Sequence, residues 1–448
     1  MPTLTVASDC LLEDTDPKLE KVLMDQLTID NPKYIAALRY GRWIGKKLKP
    51  KLRYYEQVPE GLRFPRGFAN QAIGLCRDNG SEPEIVDKRR RLEPHHFSFK
   101  AQLRPYQQNA VEAICSRSFG VLEAGTGSGK TIMALAAICN RGQPAIVIVH
   151  TKELLYQWRD RIQEFLGIEA GIVGDGKFDV APLTVAIVNS ARKRTDELNP
   201  LFGHLIVDEC HRVPATLFTD VVSRYDGYFL LGLSATAFRS DEGMTRLIYY
   251  FMGDRVHTVD PMHLKVTGAV LKPKILRNTT EFTYGYRGDY QALISALTKH
   301  EGRNRQITSD IIDCVNKDPS STALVVSDRV SHCKVFVDLL KKHRISVELL
   351  TGQIVPEQRN RIVAEVQDGN VQVLVATLQL ISEGFDCSGL SSLFLTTPIT
   401  FEGRLVQVIG RILRPAQNKI PLVFDYVDDQ VAALRRSAAA RQKVLVKL

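Results

Sequence analysis

One run of residues combines three glycines with a lysine and a threonine: Glu123-Ala-Gly-Thr-Gly-Ser-Gly-Lys-Thr131. That composition suits phosphate. Gly125, Gly127 and Gly129, with Thr126 and Ser128 between them, can curl successive backbone N–H groups inward around an anion. A helix opening at Lys130 would add its positive dipole end. Lys130 places a point charge at β- and γ-phosphates, and Thr131 offers a hydroxyl to Mg²⁺. Ala124 stands where the simplest form of this pattern has its first glycine.

A second constellation is Leu205-Ile-Val-Asp208-Glu209-Cys-His211. Triphosphate hydrolysis needs a carboxylate for the metal and a group that activates water. Asp208 is read as the metal carboxylate and Glu209 as the base. A strand-end turn with solvated acids would look similar in isolation.

These residues need elements to hold them. Short Val/Ile/Leu runs recur from about Phe97: Gly120–Glu123, Ala145–His150, Thr184–Val188, His204–Val207 and Tyr228–Leu233. Helix-length segments such as Thr131–Cys139 and Lys152–Phe165 alternate with them. The pattern restarts at Ala323–Ser327, Val347–Leu350, Gln372–Ala376, Ser392–Thr396 and Leu422–Asp425. Continuous apolar runs alternating with helices predict parallel sheets covered on both faces. The expected organisation is α/β. Residues 1–95 form a small basic α+β module and linker, 96–250 a first α/β domain, and 251–448 a connector and second α/β domain with a C-terminal helix. The polar stretch Asp78–Pro94, with basic Lys88–Arg91, reads as the linker.

Composition narrows the class. The chain has 448 residues, 44% hydrophobic and 24% charged, which excludes disorder as its main state. No apolar run approaches the ~20 residues of a spanning helix, so no membrane association is expected. No basic segment followed by a long apolar run opens the chain, which fits a cytoplasmic location. The eight cysteines show neither a C-x-x-C pair nor zinc spacing. Net charge is +9, and Lys33–Arg66 alone holds ten basic residues against two acidic ones. Lys46, Lys47, Lys49 and Lys51 interleave there with Tyr34, Tyr40, Trp43, Tyr54, Tyr55, Phe64 and Phe68. That mixture suits phosphates and bases. A small domain with an aromatic core and a solvated basic face would give the same mixture.

The D-E-x-H run on such a strand resembles superfamily 2 helicases and translocases, and further motifs follow in order from Gln102 to Asp425. Leu103-Arg104-Pro-Tyr-Gln107 resembles the adenine-recognition element. Thr151-Lys-Glu-Leu-Leu and Ile187-Val-Asn-Ser190 resemble strand-contacting motifs. Ser234-Ala-Thr236 resembles the segment coupling hydrolysis to grip. Val375-Ala-Thr377 with Glu383-Gly384-Phe-Asp386 resembles the motif serving ribose and backbone. Gln407-Val-Ile-Gly-Arg411-Ile-Leu-Arg414 is similar to the arginine-finger motif; on a helix, both arginines would share one face.

The resemblance implies two tandem RecA-like domains, ATP and Mg²⁺. It assigns nucleotide contacts to Arg104, Gln107, Gly384 and Asp386. It assigns coupling to His211, Ser234 and Thr236, and strand contacts to Thr151, Ser190, Thr351 and Thr377. Within the superfamily the chain is similar to the xeroderma pigmentosum group B-type and UvsW-type branch. Gly268-Ala-Val-Leu-Lys-Pro273 resembles that branch's connector. Phe238-Arg239-Ser240-Asp241 resembles its Arg-Glu-Asp loop, with Ser240 in place of Glu, so Arg239 reads as a wedge or as part of a solvated loop. The implied function is an ATP-dependent DNA helicase moving 3′ to 5′ on single-stranded, forked or junction DNA. Repair, recombination or replication proteins would be its partners, in the nucleoid or in a phage-infected cell. An RNA-directed motor and an ATP-gated nucleic-acid clamp are the alternatives.

Overall fold

A computed structural model provides the structure. It describes residues 1–39, 48–125, 127–211, 215–235, 242–260, 271–319, 321–382, 387, 389–399, 402–414 and 419–446. The chain divides into two compact units, the first made of Met1–Gly125 and Gly129–Asp260, the second containing Pro261–Leu448.

Among the described residues, the first unit holds a five-stranded and an eight-stranded sheet and a two-stranded ribbon. The five-stranded sheet runs Glu56–Val58, Gly61–Pro65, Asp9–Glu13, Thr3–Val6, Glu84–Asp87. Burial alternates along Thr3–Val6 and Asp9–Glu13, as expected of a sheet with one covered face. The strands of the larger sheet differ. Phe119–Ala124, Ala145–Val149 and His204–Val207 are buried at every position. Their neighbours are parallel, so helices cover both faces.

The order of the large sheet places the chemistry. From its centre to one edge run Ala145–Val149, His204–Val207, Phe229–Ser234, Phe119–Ala124 and Arg255–Val259. The Gly-rich loop therefore leaves one strand, the Asp208-Glu209 turn leaves another, and Ser234 ends the strand between them. Parallel strands bring all three to the same sheet edge, where α/β folds bind ligands.

The second unit holds a six-stranded parallel sheet ordered Lys274–Thr279, Leu422–Val427, Leu390–Leu395, Thr322–Ser327, Val373–Thr377, Val347–Leu350. Both units are thus α/β, and the tandem architecture expected from the sequence is present.

Two expectations change. Asp78–Pro94 is no loose linker: Glu84–Asp87 pairs with Thr3–Val6, and Arg89 and Arg90 are bonded into the first unit. Charge alone hid this, because the arginines are consumed by Asp87 and Asp226. The cut near residue 250 falls inside the helix Glu242–Met252, and Arg255–Val259 still belongs to the first sheet. Of the two readings of the N-terminal aromatics, the core one holds for most of those described: Phe64 and Phe68 are buried, and Tyr54 and Tyr55 pack against the same cluster. Arg66, counted in the basic window, is buried and donates to the carbonyls of Ala7 and Gly227. Tyr40, Trp43, Lys46 and Lys47 lie outside the described residues.

Candidate active site

The helix Lys130–Arg141 begins directly after Gly129, which takes φ +84°. Only glycine occupies that region without strain. A Cβ at 129 would also meet Gln107 Nε2 at 2.5 Å. The buried Gln107 side chain thus seats against the loop. Its Oε1 accepts from the backbone N–H of Arg104 at 2.9 Å, which fixes it at the start of the helix Pro105–Cys115. Pro105 suits that first helical position. Gly125 and Gly127 flank the loop and Ser128 is fully buried. Thr131 lies in the first helical turn, beside Lys130. Lys130 Nζ donates to the Ala124 carbonyl at 3.1 Å and lies 3.5 Å from Glu209 Oε1.

Asp208 is buried at the end of His204–Val207. Its Oδ2 accepts from Trp158 Nε1 at 2.8 Å, and its Oδ1 from the Glu209 N–H at 2.9 Å. Burial, and then the neighbouring Glu209 carboxylate, push Asp208 up to about 6, against the pull of Trp158 and Lys130. Glu209 takes φ +46°, a left-handed conformation uncommon for a side-chain-bearing residue. That turn brings its carboxylate back beside Lys130. His211 Nδ1 lies 3.3 Å from Glu209 Oε2 and 2.9 Å from Ser234 Oγ. The structure therefore joins Lys130, Glu209, His211 and Ser234 in one polar chain.

Thr151 caps the helix Lys152–Leu166 by accepting from the Leu154 N–H at 3.3 Å. Ser190 sits in the short helix Val188–Lys193, just beyond the strand Leu183–Ile187. Lys49 and Lys51 are exposed.

In the second unit, Thr377 ends Val373–Thr377 and is partly exposed. Thr351 is buried, 5% exposed, and offers a strand almost no surface. The helix carrying Gln407 stops at Gly410, so Arg411 and Arg414 are not on one helical face. The chain turns there: the N–H of Arg411 and of Ile412 bond three residues back, and Leu413's carbonyl accepts from Leu271. Arg414 also precedes Pro415, which disfavours helical angles. Arg411 is buried and its Nε donates to the Ile381 carbonyl at 3.1 Å. Gln407 is buried, and its Oε1 has no hydrogen-bond partner among the described residues. Thr126, Thr236, Arg239, Gly384 and Asp386 lie outside the described residues.

Comparison with known proteins agrees with this geometry. Residues 100–239 match the Type III restriction enzyme res subunit family, and residues 305–416 the helicase conserved C-terminal domain. The chain belongs to the superfamily 2 helicases. Its affinity within them is to XPB- and UvsW-like members. It is 28% identical to the ATP-dependent DNA helicase uvsW of Enterobacteria phage T4, over 94% of this chain and 88% of that one. It is 26% identical to the DNA 3′-5′ translocase XPB2 of Sulfurisphaera tokodaii, over 77% of this chain and 85% of that one. A fragment of a putative HsdR subunit of a type I restriction enzyme from Vibrio vulnificus shares the fold, with TM-score 0.58 and 18% identity. That match covers 78% of this chain and 66% of the other. Another relative, from Acanthamoeba polyphaga mimivirus, is named a putative ATP-dependent RNA helicase.

A superfamily 2 helicase uses ATP, usually with Mg²⁺, and the donor set suits a hard cation: the Thr131 hydroxyl and the Asp208 carboxylate are oxygen ligands. Among the described residues no three His, Cys, Asp or Glu groups converge as a metal cage. A cation here would rely on nucleotide phosphates for further ligands, as Mg²⁺ commonly does. No described helix is long and apolar enough to cross a membrane.

Sequence reasoning passed over Trp158. It lies fifty positions before Asp208, so no local spacing links them. The available signal was chemical: a tryptophan on the apolar face of a helix needs a partner for its N–H. Glu123 stands at the edge of the loop motif, and its spacing in the sequence signals no partner. It pairs with Arg255 at 2.9 Å, tying the loop strand to the strand beside it.

Proposed function

We propose that this helicase is an ATP-driven motor on DNA, moving 3′ to 5′ and acting on forked or branched substrates. The observation that carries the reading is the Lys130–Glu209–His211–Ser234 chain. It connects the phosphate end of the site to the segment that superfamily 2 motors use to relay hydrolysis. The names of XPB2 and uvsW support DNA as substrate, and XPB2's supports the polarity.

In this mechanism, Gly-rich backbone N–H groups and Lys130 hold the β- and γ-phosphates. Thr131 and Asp208 would hold Mg²⁺, which when bound would supply positive charge against the transferred phosphoryl group. Glu209 takes the proton of the attacking water. Gln107 reads the adenine, and Arg411 and Arg414 are assigned to the charge that develops at transfer. His211 exchanges partners between Glu209 and Ser234 as the γ-phosphate leaves, which alters the grip on the strand. Thr151, Ser190 and Thr377 hold backbone phosphates, and exposed Lys49 and Lys51 widen the contact.

The test is steady-state ATPase activity without nucleic acid and with single-stranded, duplex, forked and four-way-junction DNA, and RNA. Strongest stimulation by fork or junction DNA supports the proposal. Preference for RNA overturns the substrate. Slow hydrolysis without strand displacement on a labelled fork favours a clamp.

A further inference from the structure

We infer that Trp158 is a positioning residue that links the strand-contacting end of its helix to the Asp208 carboxylate. The inference rests on the proposed roles of Thr151 and Asp208. Trp158 is 1% exposed, and its Nε1–H is spent on Asp208 Oδ2 at 2.8 Å. An indole can donate but not accept, so this bond has one polarity. Packing alone would be satisfied by a backbone carbonyl. Here the donor instead reaches a carboxylate of the reaction centre.

The second donor to Asp208 is the Glu209 N–H, which belongs to the same turn and moves with it. Trp158 alone of these two donors comes from a different element. That element begins at Thr151, whose hydroxyl caps it. Trp158 lies two turns further on, about 10 Å along the axis. Leu154, Leu155 and Ile162 share its buried face, so the segment shifts as a rigid piece. A strand that pulls on Thr151 must then pull on the orientation of Asp208. Each Asp208 oxygen keeps a lone pair beyond its hydrogen bond, so the indole orients the carboxylate without blocking it.

The experiment uses the full chain and two replacements. Trp158→Phe removes the donor and keeps an aromatic ring. Benzothienylalanine at 158 replaces the N–H with sulfur at nearly constant shape. A fluorescent non-hydrolysable ATP analogue is titrated in Mg²⁺ and in EDTA, alongside ATPase kinetics with and without single-stranded DNA. Affinity in EDTA should stay within about twofold. The gain conferred by Mg²⁺ should shrink roughly tenfold, the scale seen when partners behind metal ligands are lost. DNA stimulation of kcat should fall, and KM for ATP should rise in step with the lost Mg²⁺ gain. A wild-type Mg²⁺ gain and wild-type stimulation in both variants would overturn the inference. So would equal losses in EDTA and Mg²⁺ that track lowered thermal stability, since that pattern belongs to packing. If Trp158→Phe does not fold, the sulfur isostere decides. Were no nucleic acid to stimulate the wild type, the proposed function would fail, and the Mg²⁺ comparison would still judge Trp158.

Discussion

The imidazole Nδ1 of His211 stands between two oxygens, 2.9 Å from Ser234 Oγ and 3.3 Å from Glu209 Oε2. One ring nitrogen thus touches both the Glu209 carboxylate and the end of the neighbouring strand. Replacing Ser234 with Ala removes one of its two choices at a cost of about 1 kcal/mol. ATPase activity should persist while base pairs opened per ATP fall roughly fivefold. A fork-unwinding assay run beside phosphate release measures that ratio, and an unchanged ratio refutes the relay.

Glu209→Gln keeps the shape and loses the proposed base. Nucleotide and strand binding should remain, and turnover should drop about 10²- to 10⁴-fold. Because Lys130 lies 3.5 Å from this carboxylate, ATP affinity should rise slightly as the lysine loses a competing partner. Single-turnover hydrolysis and equilibrium binding separate the two effects. Wild-type-like hydrolysis would remove Glu209 from its role.

Neutralising Lys46, Lys47, Lys49 and Lys51 should weaken DNA binding and flatten its salt dependence by about one unit of slope per lost phosphate contact. Fluorescence anisotropy across a range of salt gives the slope directly. An unaltered slope would return these lysines to ordinary solvated surface.

Gly67 abuts the helix Glu242–Met252 so closely that a Cβ would meet the backbone of Gly253, Tyr249 and Tyr250 at 2.4–2.7 Å. Gly67→Ala should destabilise the first unit by about 1–3 kcal/mol, as overpacking does. Gly74, inside the helix Ala69–Asp78, has nothing within 4 Å. Gly74→Ala should therefore stabilise by roughly 0.5–1 kcal/mol. Urea midpoints of the pair check both signs.

His332 is a stability prediction of the second unit. It is buried between Ser327 Oγ and Asn304 Oδ1, and burial, aided by the Arg303 cation, pushes it down to about 3. The unfolded chain, with an ordinary histidine, binds a proton below about 6.5 that the folded chain refuses. The contribution is full above pH 6.5 and is lost as pH falls toward 3, by at most about 1.4 kcal/mol per unit. Urea denaturation at pH 7 and pH 5 should show the slope, and His332→Gln should reduce it.

Local chemistry was readable wherever a few adjacent residues carry it. The Gly-rich loop and Asp208-Glu209 are contiguous, and their strands are apolar runs with one meaning, so loop, carboxylates and sheet were all legible. What escaped depends on long separations. Trp158 meets Asp208, Arg66 meets Gly227, and Arg90 meets Asp226 only after folding. Charge counting misled for the same reason: a sequence window cannot tell a solvated arginine from one whose fork is filled by carbonyls. The arginine pair after Gln407 was misplaced because helical spacing was extended past Gly410, where the chain had already turned.

Tyr54 packs against Tyr250 and Phe251, Phe68 meets Tyr250, and the Tyr250 hydroxyl donates to the Gln26 carbonyl. These contacts have a thermodynamic reading. Two stretches that sequence divides at residue 95 have no separate interiors to melt, so residues 1–260 should unfold as one cooperative block. Calorimetry would then assign the N-terminal module no transition of its own. A chain shortened to begin at residue 96 would not be a lighter motor but a frayed one, with Tyr250 and Phe251 turned to water.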